Sequence, residues 1–193
     1  EVDSLAERKN QVVSDLKLKY QNMQITDVSE VQAYRNVFRQ MGRDPSSFRP
    51  APEYLLRRAL DGNFPKVNNL VDSCLLASVE HMVSGGVYDV KNLKGKVRTT
   101  LAGPSEQPFQ LIDGRKLAPN PGEIILRDDQ RIISSYVLGD SKVAKITYGT
   151  STALVVLWNA PGVPRENMES AIESISLYAR KFCGGHVDEK KIL

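Results

Sequence analysis

The chain has 193 residues, 41% apolar and 25% charged, with 13 glycines and 10 prolines, an ordinary globular composition that excludes collagen-like, disordered and large multidomain architectures. Its 26 basic and 23 acidic residues leave a net charge of +3, which excludes histone-like coating of nucleic acid and confines any RNA contact to a local basic patch. No apolar run approaches the ~18 residues of a membrane span, and the opening Glu1-Val2-Asp3-Ser4 lacks signal-peptide character, so a cytoplasmic domain is expected.

Residues 4–20 scatter Leu5, Val12, Val13, Leu16 and Tyr20 among charges, the pattern of an amphipathic surface helix. A second helix is expected after Asp27 as N-cap. Val31, Tyr34, Phe38 and Met41 form one stripe, Arg35, Arg39 and Arg43 line the other side, and Gly42 closes it. The turn-rich connector Asp44–Pro52 leads into a helix over EYLLRRAL, with Pro52 in its first turn and Gly62 as its left-handed stop. Asn68 or Asn69 caps a further helix to about Met82. Its Leu70, Cys74, Ala77, Val79 and Met82 predict a buried element, broken by the pair Gly85-Gly86.

From Val87 the period becomes strand-like. The runs KVRTTLAG, PFQLID, EIILRD, RIISSYVL, AKIT and TALVVLW are separated by turn chemistry at Asp113-Gly114, Pro119-Asn120-Pro121-Gly122, Asp128-Asp129 and Gly139-Asp140-Ser141. Such close spacing favours an antiparallel, sandwich-like sheet over βαβ winding. PRENMESAIESISLYARKF predicts a last helix, with Pro164 in its first turn, Met168, Ala171, Ile172, Ile175 and Ala179 on one face, and Gly184-Gly185 at its end. The tail DEKKIL is expected to fray. Helices first, strands second and a helix last make an α+β fold, an antiparallel β-sandwich-like sheet flanked by helices.

Motifs exclude more than they assign. The phosphate-cradling G-x-x-x-x-G-K-[ST], the G-x-G-x-x-G fingerprint and the G-x-S-x-G elbow are all missing. Cys74 and Cys183 lack any CxxC or zinc spacing and read as two buried thiols in a reducing compartment. His81 and His186 are the only histidines, and neither has a partner motif for a metal site or a Ser-His-Asp triad, so no metal or other cofactor is expected. Asp72 and Glu80 lie about two turns apart on one helix face; they suit an acid–base pair, or cap and salt-bridge roles.

The most informative string is G-R-D-P-S-S-F-R-P-A-P-E-Y-L-L-R-R-A-L-D-G-N-F-P-K-V-N-N-L-V-D. It covers Gly42–Asp72 and is followed by Gly86-Val87-Tyr88-Asp89 and by Pro121-Gly122-Glu123-Ile124-Ile125-Leu126-Arg127-Asp128. This resembles the B3/B4 tRNA-binding and editing domain of the phenylalanyl-tRNA synthetase beta chain. The freestanding forms are the nearer likeness, reading DP-x-x-(Y/F)-RP-x-x-E-x-LLRR and then (I/V)N-x-x-VD. The resemblance spans about residues 30–185 and divides the chain into a helical segment (1–26), the B3/B4-like domain (27–187) and the tail (188–193). It implies a cleft that in the synthetase hydrolyses tRNA wrongly charged with tyrosine. That reaction proceeds without a metal, by positioning a water and stabilising an oxyanion.

Carried over position by position, the family's V-D-x-T-N falls on Val71-Asp72-Ser73-Cys74-Leu75, its pocket histidine on Gly86, and its tyrosine-recognising glutamate near Val156. Loss of these polar groups should remove tyrosine selectivity. Asp72 and Asn69 are the candidate catalytic residues. Candidate substrate contacts are Asn68, Ser73, Cys74, Ser78, Gly86 and Tyr88, the strand residues Arg98 and Thr100 on one face, the Gly139-Asp140-Ser141 turn, and Thr150 and Thr152. Arg57, Arg58 and Lys142 are candidates for tRNA phosphate. Each has a plainer alternative: capping for Asn68 and Asn69, internal ion pairs for the arginines, a core aromatic for Tyr88, a solubilising charge for Lys142. The expected partner is tRNA or aminoacyl-tRNA, with hydrolysis of a mischarged ester. The alternative is a non-catalytic RNA- or protein-binding module of the same fold.

Overall fold

The computed structural model describes residues 4–192; the readings made on Glu1–Asp3 and Leu193 lie outside them. The chain divides into two compact units. One holds the residues up to Tyr34, Arg49–Gly85 and those from Leu157 onward; the other holds Arg35–Phe48 and Gly86–Val156.

The first unit is helical. α1 (Leu5–Tyr20) starts at a capping box, in which Ser4 Oγ accepts from the Glu7 amide and Glu7 accepts from the Ser4 amide, and it buries Val12, Leu16 and Tyr20. α2 (Ser29–Gln40) buries Val31 and Tyr34 in this unit. The expected cap Asp27 instead ends a 3-10 turn, Ile25–Asp27, and Val28 takes the first carbonyl position of α2. α3 (Ala51–Leu60) has Pro52 in its first turn, and Gly62 follows at φ +72°. Its Glu53 is 1% exposed yet ionised partners flank it one turn away on each side, Arg49 and Arg57. α4 (Asn69–Glu80) and α5 (Arg165–Cys183) pack along each other, and α1 lies on α3 and α4. α5 stops at Gly184, φ +67°. Glu80, at the end of α4, is clamped by Arg8 and by the Tyr178 hydroxyl at 2.6 Å.

The pair Gly85-Gly86 does not break α4. The helix has already ended at Glu80, Met82 turns the chain at φ +53°, and both glycines belong to strand β1 (Ser84–Asp89). β1 pairs with β8 (Ala153–Trp158) in a two-stranded sheet. The Tyr34 hydroxyl pins the start of β1, accepting from the Ser84 amide at 3.0 Å and donating to the Trp158 carbonyl at 2.6 Å.

In the second unit an antiparallel sheet runs in the order β2 (Arg98–Leu101), β5 (Ile124–Arg127), β6 (Ile132–Ser135), β7 (Gly139–Asp140). β3 (Phe109–Gln110) and β4 (Lys116–Leu117) make a small antiparallel ribbon around Asp113-Gly114. Ala102, Ile125 and Ile132 form an apolar cluster with Phe109 against it. Helices and antiparallel sheets together confirm the α+β class. Two expected features differ. Gly139-Asp140 is a strand because its partners on β6, Ser135 and Ser134, hold it in register. AKIT is no strand, because the Ser141 hydroxyl caps a 3-10 turn, Lys142–Ala144.

Arg43 also departs from the basic row expected on the second helix. It leaves α2 and forms an ion pair with Glu123, which is fully buried, donates to the Ala118 carbonyl at 3.0 Å, and lies 4.9 Å from the Phe48 ring. Removing one partner of a buried pair strands the other charge at a cost of about 3–5 kcal/mol, whereas removing both is far milder. Arg43→Met should therefore lower the urea midpoint strongly, and adding Glu123→Leu should restore most of it.

Candidate functional site

The candidate residues fall into one set in each unit. In the helical unit, Asn68 caps α4 by accepting from the Val71 amide at 3.0 Å, and Asn69 donates to the Phe182 carbonyl at 2.9 Å. Asp72 has both oxygens engaged: Oδ2 with Lys9 at 2.7 Å and Oδ1 with the Val67 amide at 2.7 Å. Lys9 also donates to the Pro65 carbonyl and lies over the Phe64 ring. Ser73 and Ser78 donate to the backbone carbonyls of Asn69 and Val83. Burial, helped by the nearby Cys183, pushes the Cys74 thiol up to about 12. Cys183 itself is exposed, contrary to expectation, because it is the last residue of α5. Asn68, Asn69, Asp72, Ser73 and Ser78 each have an internal partner, so this set stiffens the entry to α4.

Of the candidate phosphate contacts on α3, Arg57 is turned onto Glu53 at 3.0 Å. Arg58 lies 5.9 Å from the Tyr54 ring, with its Nε buried and without a hydrogen bond among the described residues. Arg57 also lines an open cavity of about 490 Å³ with Lys17, Tyr20 and Met23.

The second set converges. Asp140 Oδ1 accepts from the Tyr88 hydroxyl and from the Ser134 hydroxyl, each at 2.8 Å. Asp140 Oδ2 has no hydrogen-bond partner among the described residues. Gly86 forms the floor: a Cβ there would stand 2.7 Å from both Asp140 Oδ1 and Tyr88 Cζ. Desolvation raises the Asp140 carboxyl above the usual carboxylate range, although the two hydroxyl donors oppose the rise. The Tyr88 hydroxyl is held well above its ordinary value by burial and then by the Asp140 charge. Tyr88 is thus a core aromatic, 1% exposed, with a polar tip serving the carboxylate.

The other strand residues sit apart from that carboxylate. Arg98 pairs with Asp129, and Thr100 keeps a buried hydroxyl with no partner among the described residues. Ser141 supports the 3-10 turn that carries exposed Lys142. Thr150 donates to Asp89 at 2.8 Å, and the Thr152 carbonyl accepts from the Val90 amide.

Sequence reading missed Ser134, whose role follows only from strand register, and a contact of His81 Nε2 with Ser174 Oγ at 2.8 Å. His81 and Ser174 border an open cavity of about 730 Å³ with Ile172 and Ile192. Desolvation lowers the His81 pKa, against the opposing charge of Glu80. Among the described residues no group of three or more His, Cys, Asp or Glu could hold a metal, and no helix is long and apolar enough to cross a membrane.

The family model described as the B3/4 domain matches residues 33–184. The chain belongs to the B3/4 domain family. No curated protein matches it. The matched span holds all of this B3/4 domain's converging carboxylate site, Gly86, Tyr88, Ser134 and Asp140. It also holds the α4 set, and it leaves α1 outside. At position 86, where the resemblance places a histidine, the B3/4 domain here has no side chain, and the Tyr88 hydroxyl takes that space. Gly86→Ala should destabilise the protein by about 1–3 kcal/mol through overpacking. In a Tyr88→Ala background the same change should cost much less, a coupling that denaturant unfolding of the two single variants and the double variant can measure.

Proposed function

We propose that the protein binds aminoacyl-tRNA and hydrolyses a mischarged or unwanted aminoacyl ester, with Asp140 activating the water. What carries the reading is a carboxylate with one oxygen anchored and the other unbonded, inside a B3/4 domain. Tyr88 and Ser134 fix Oδ1, so Oδ2 is presented in one orientation. Its raised pKa makes its ionised form a stronger base than an ordinary aspartate. Water attacks the ester carbonyl as Oδ2 takes its proton; the tetrahedral intermediate then collapses with cleavage of the bond to the ribose oxygen, which leaves with the proton that Oδ2 returns, freeing the amino acid and restoring the carboxylate. Asp72, with both oxygens engaged by Lys9 and Val67, serves as the tie that sets α4. Tyrosine is not the favoured aminoacyl group, since Gly86 and Val156 offer its phenol no side-chain partner.

The second reading, an RNA-binding module without turnover, is favoured by the filled space beside Gly86. One assay separates the two: deacylation of a panel of aminoacyl-tRNAs at micromolar protein, with binding measured in parallel. Binding without release of any amino acid leaves the module reading alone.

If turnover is present, Asp140→Asn should lower it by about 10²–10⁴, the usual contribution of a general base. The acid limb of the parent's rate profile should lie above the ordinary aspartate range and vanish in the variant. A carboxyl whose folded pKa is raised stabilises the fold at pH below its unfolded value and loses that contribution as pH rises through the folded value. Above the folded value the ionised group is therefore a net cost, and at such a pH Asp140→Asn should melt no lower than the parent. Asp72→Asn should lower the melting temperature and leave the rate per folded molecule nearly unchanged.

A further inference from the structure

The ring of Tyr148 is 98% exposed, although its backbone is firmly built. The Thr147 amide donates to Thr150 Oγ1 at 2.9 Å, the Thr150 amide returns to the Thr147 carbonyl at 3.1 Å, and the Gly149 amide donates to Thr147 Oγ1 at 3.3 Å. Thr150 Oγ1 then donates to Asp89 Oδ2, which ties the turn to the strand carrying Tyr88. The other oxygen of Asp89 accepts from the Lys91 amide at 3.0 Å and opens a 3-10 turn, Val90–Asn92, that packs against the Lys142–Ala144 turn. Lys91, Lys142 and Lys145, in or next to these two turns, are exposed, and none forms an ion pair among the described residues. The one carboxylate woven into the cluster, Asp89, is buried and occupied by Thr150 and the Lys91 amide.

We infer that this surface is a docking platform for an unpaired segment of RNA, one base stacking on Tyr148 and the flanking phosphates meeting Lys91, Lys142 and Lys145. A solvent-facing aromatic ring on a hydrogen-bonded turn offers stacking with little loop-ordering cost, and neighbouring unpaired ammonium groups supply the backbone attraction. Three lysines on two packed turns also make the local patch that a net charge of +3 demands of any RNA binder. A base-paired stem cannot present a base face to Tyr148, so the occupant is single-stranded, as a tRNA end is. The inference rests on the tRNA-binding reading above and adds where the strand lies.

The test is fluorescence anisotropy on the full chain with a fluorescein-labelled, unstructured single-stranded RNA of about 12 nucleotides, within the ~4–16-nucleotide sites of such proteins, and with the paired stem made by annealing it to its complement. Tyr148→Ala should weaken single-strand binding about tenfold, the lower part of the range for one stacked base, and Tyr148→Trp should keep it within about twofold. The pair Lys142→Ala and Lys145→Ala should reduce the slope of log K against log salt by ~1.4, two single-strand phosphate contacts. Both variants should melt like the parent, because all three side chains are exposed. Binding by Tyr148→Ala within about twofold of the parent, or equal binding of the stem and the single strand, overturns the proposal. A deacylated tRNA arm separates the two claims: parent binding that Tyr148→Ala leaves intact overturns only the platform, whereas no parent binding to tRNA or single strand overturns the RNA reading with it.

Discussion

No side chain fits at position 86. A Cβ built there stands 2.7 Å from a carboxylate oxygen of Asp140 and 2.7 Å from the ring of Tyr88, closer than real carbon contacts allow. The consequences spread from that approach. The bare Gly86 leaves room for the Tyr88 hydroxyl to reach the Asp140 carboxylate, and Ser134 on the neighbouring strand completes the pair of donors. Desolvation raises the carboxyl and two hydroxyls restrain the rise, so the molecule keeps an ionisable group in a fixed orientation at an energetic cost. Glu53, Asp72, Glu123 and Asp128 each face a cation, whereas Asp140, like Asp89, is held by hydroxyl and amide donors without an ion pair, and of these two only Asp140 has an oxygen left unbonded among the described residues.

The helical part of the fold was legible because helices carry their own punctuation. Asn68, Pro52, Gly62 and Gly184 each stand where capping and stop chemistry put them, and the α+β class followed from the change of period at Val87. Strands were harder. Gly85-Gly86 and Gly139-Asp140 carry turn residues into strands, because close packing against Tyr88 in one case and register with Ser134 and Ser135 in the other outweigh local preference. Asp27 failed as a cap for a similar reason: a 3-10 turn ahead of α2 used it first.

The site was legible as a set of residues and illegible as a geometry. Motif alignment pointed at Asp72 because it survives in the family's V-D pattern, but nothing in that pattern reveals that Lys9, 63 positions away, and the Val67 amide occupy both oxygens. Ser134 lies in an ordinary strand run and gave no signal, since only β6–β7 register places its hydroxyl on Asp140. Lys142 was singled out alone. Its neighbours Lys91 and Lys145 join it through the packing of two short turns, a contact between distant segments that composition cannot express.

Within the sheet unit, the carboxylate site and the Tyr148 turn hang from consecutive residues of one strand, Tyr88 and Asp89. The chemistry proposed for a B3/4 domain thus depends on a single ionisation, that of Asp140. The direct measurement is a pH titration of the Asp140 side-chain carboxyl by ¹³C NMR in the parent and in Tyr88→Phe. The expected midpoint lies above the ordinary aspartate range in the parent and moves higher still when the Tyr88 hydroxyl, which favours the charged form, is removed. A midpoint at or below the ordinary range, unmoved by Tyr88→Phe, would contradict the account.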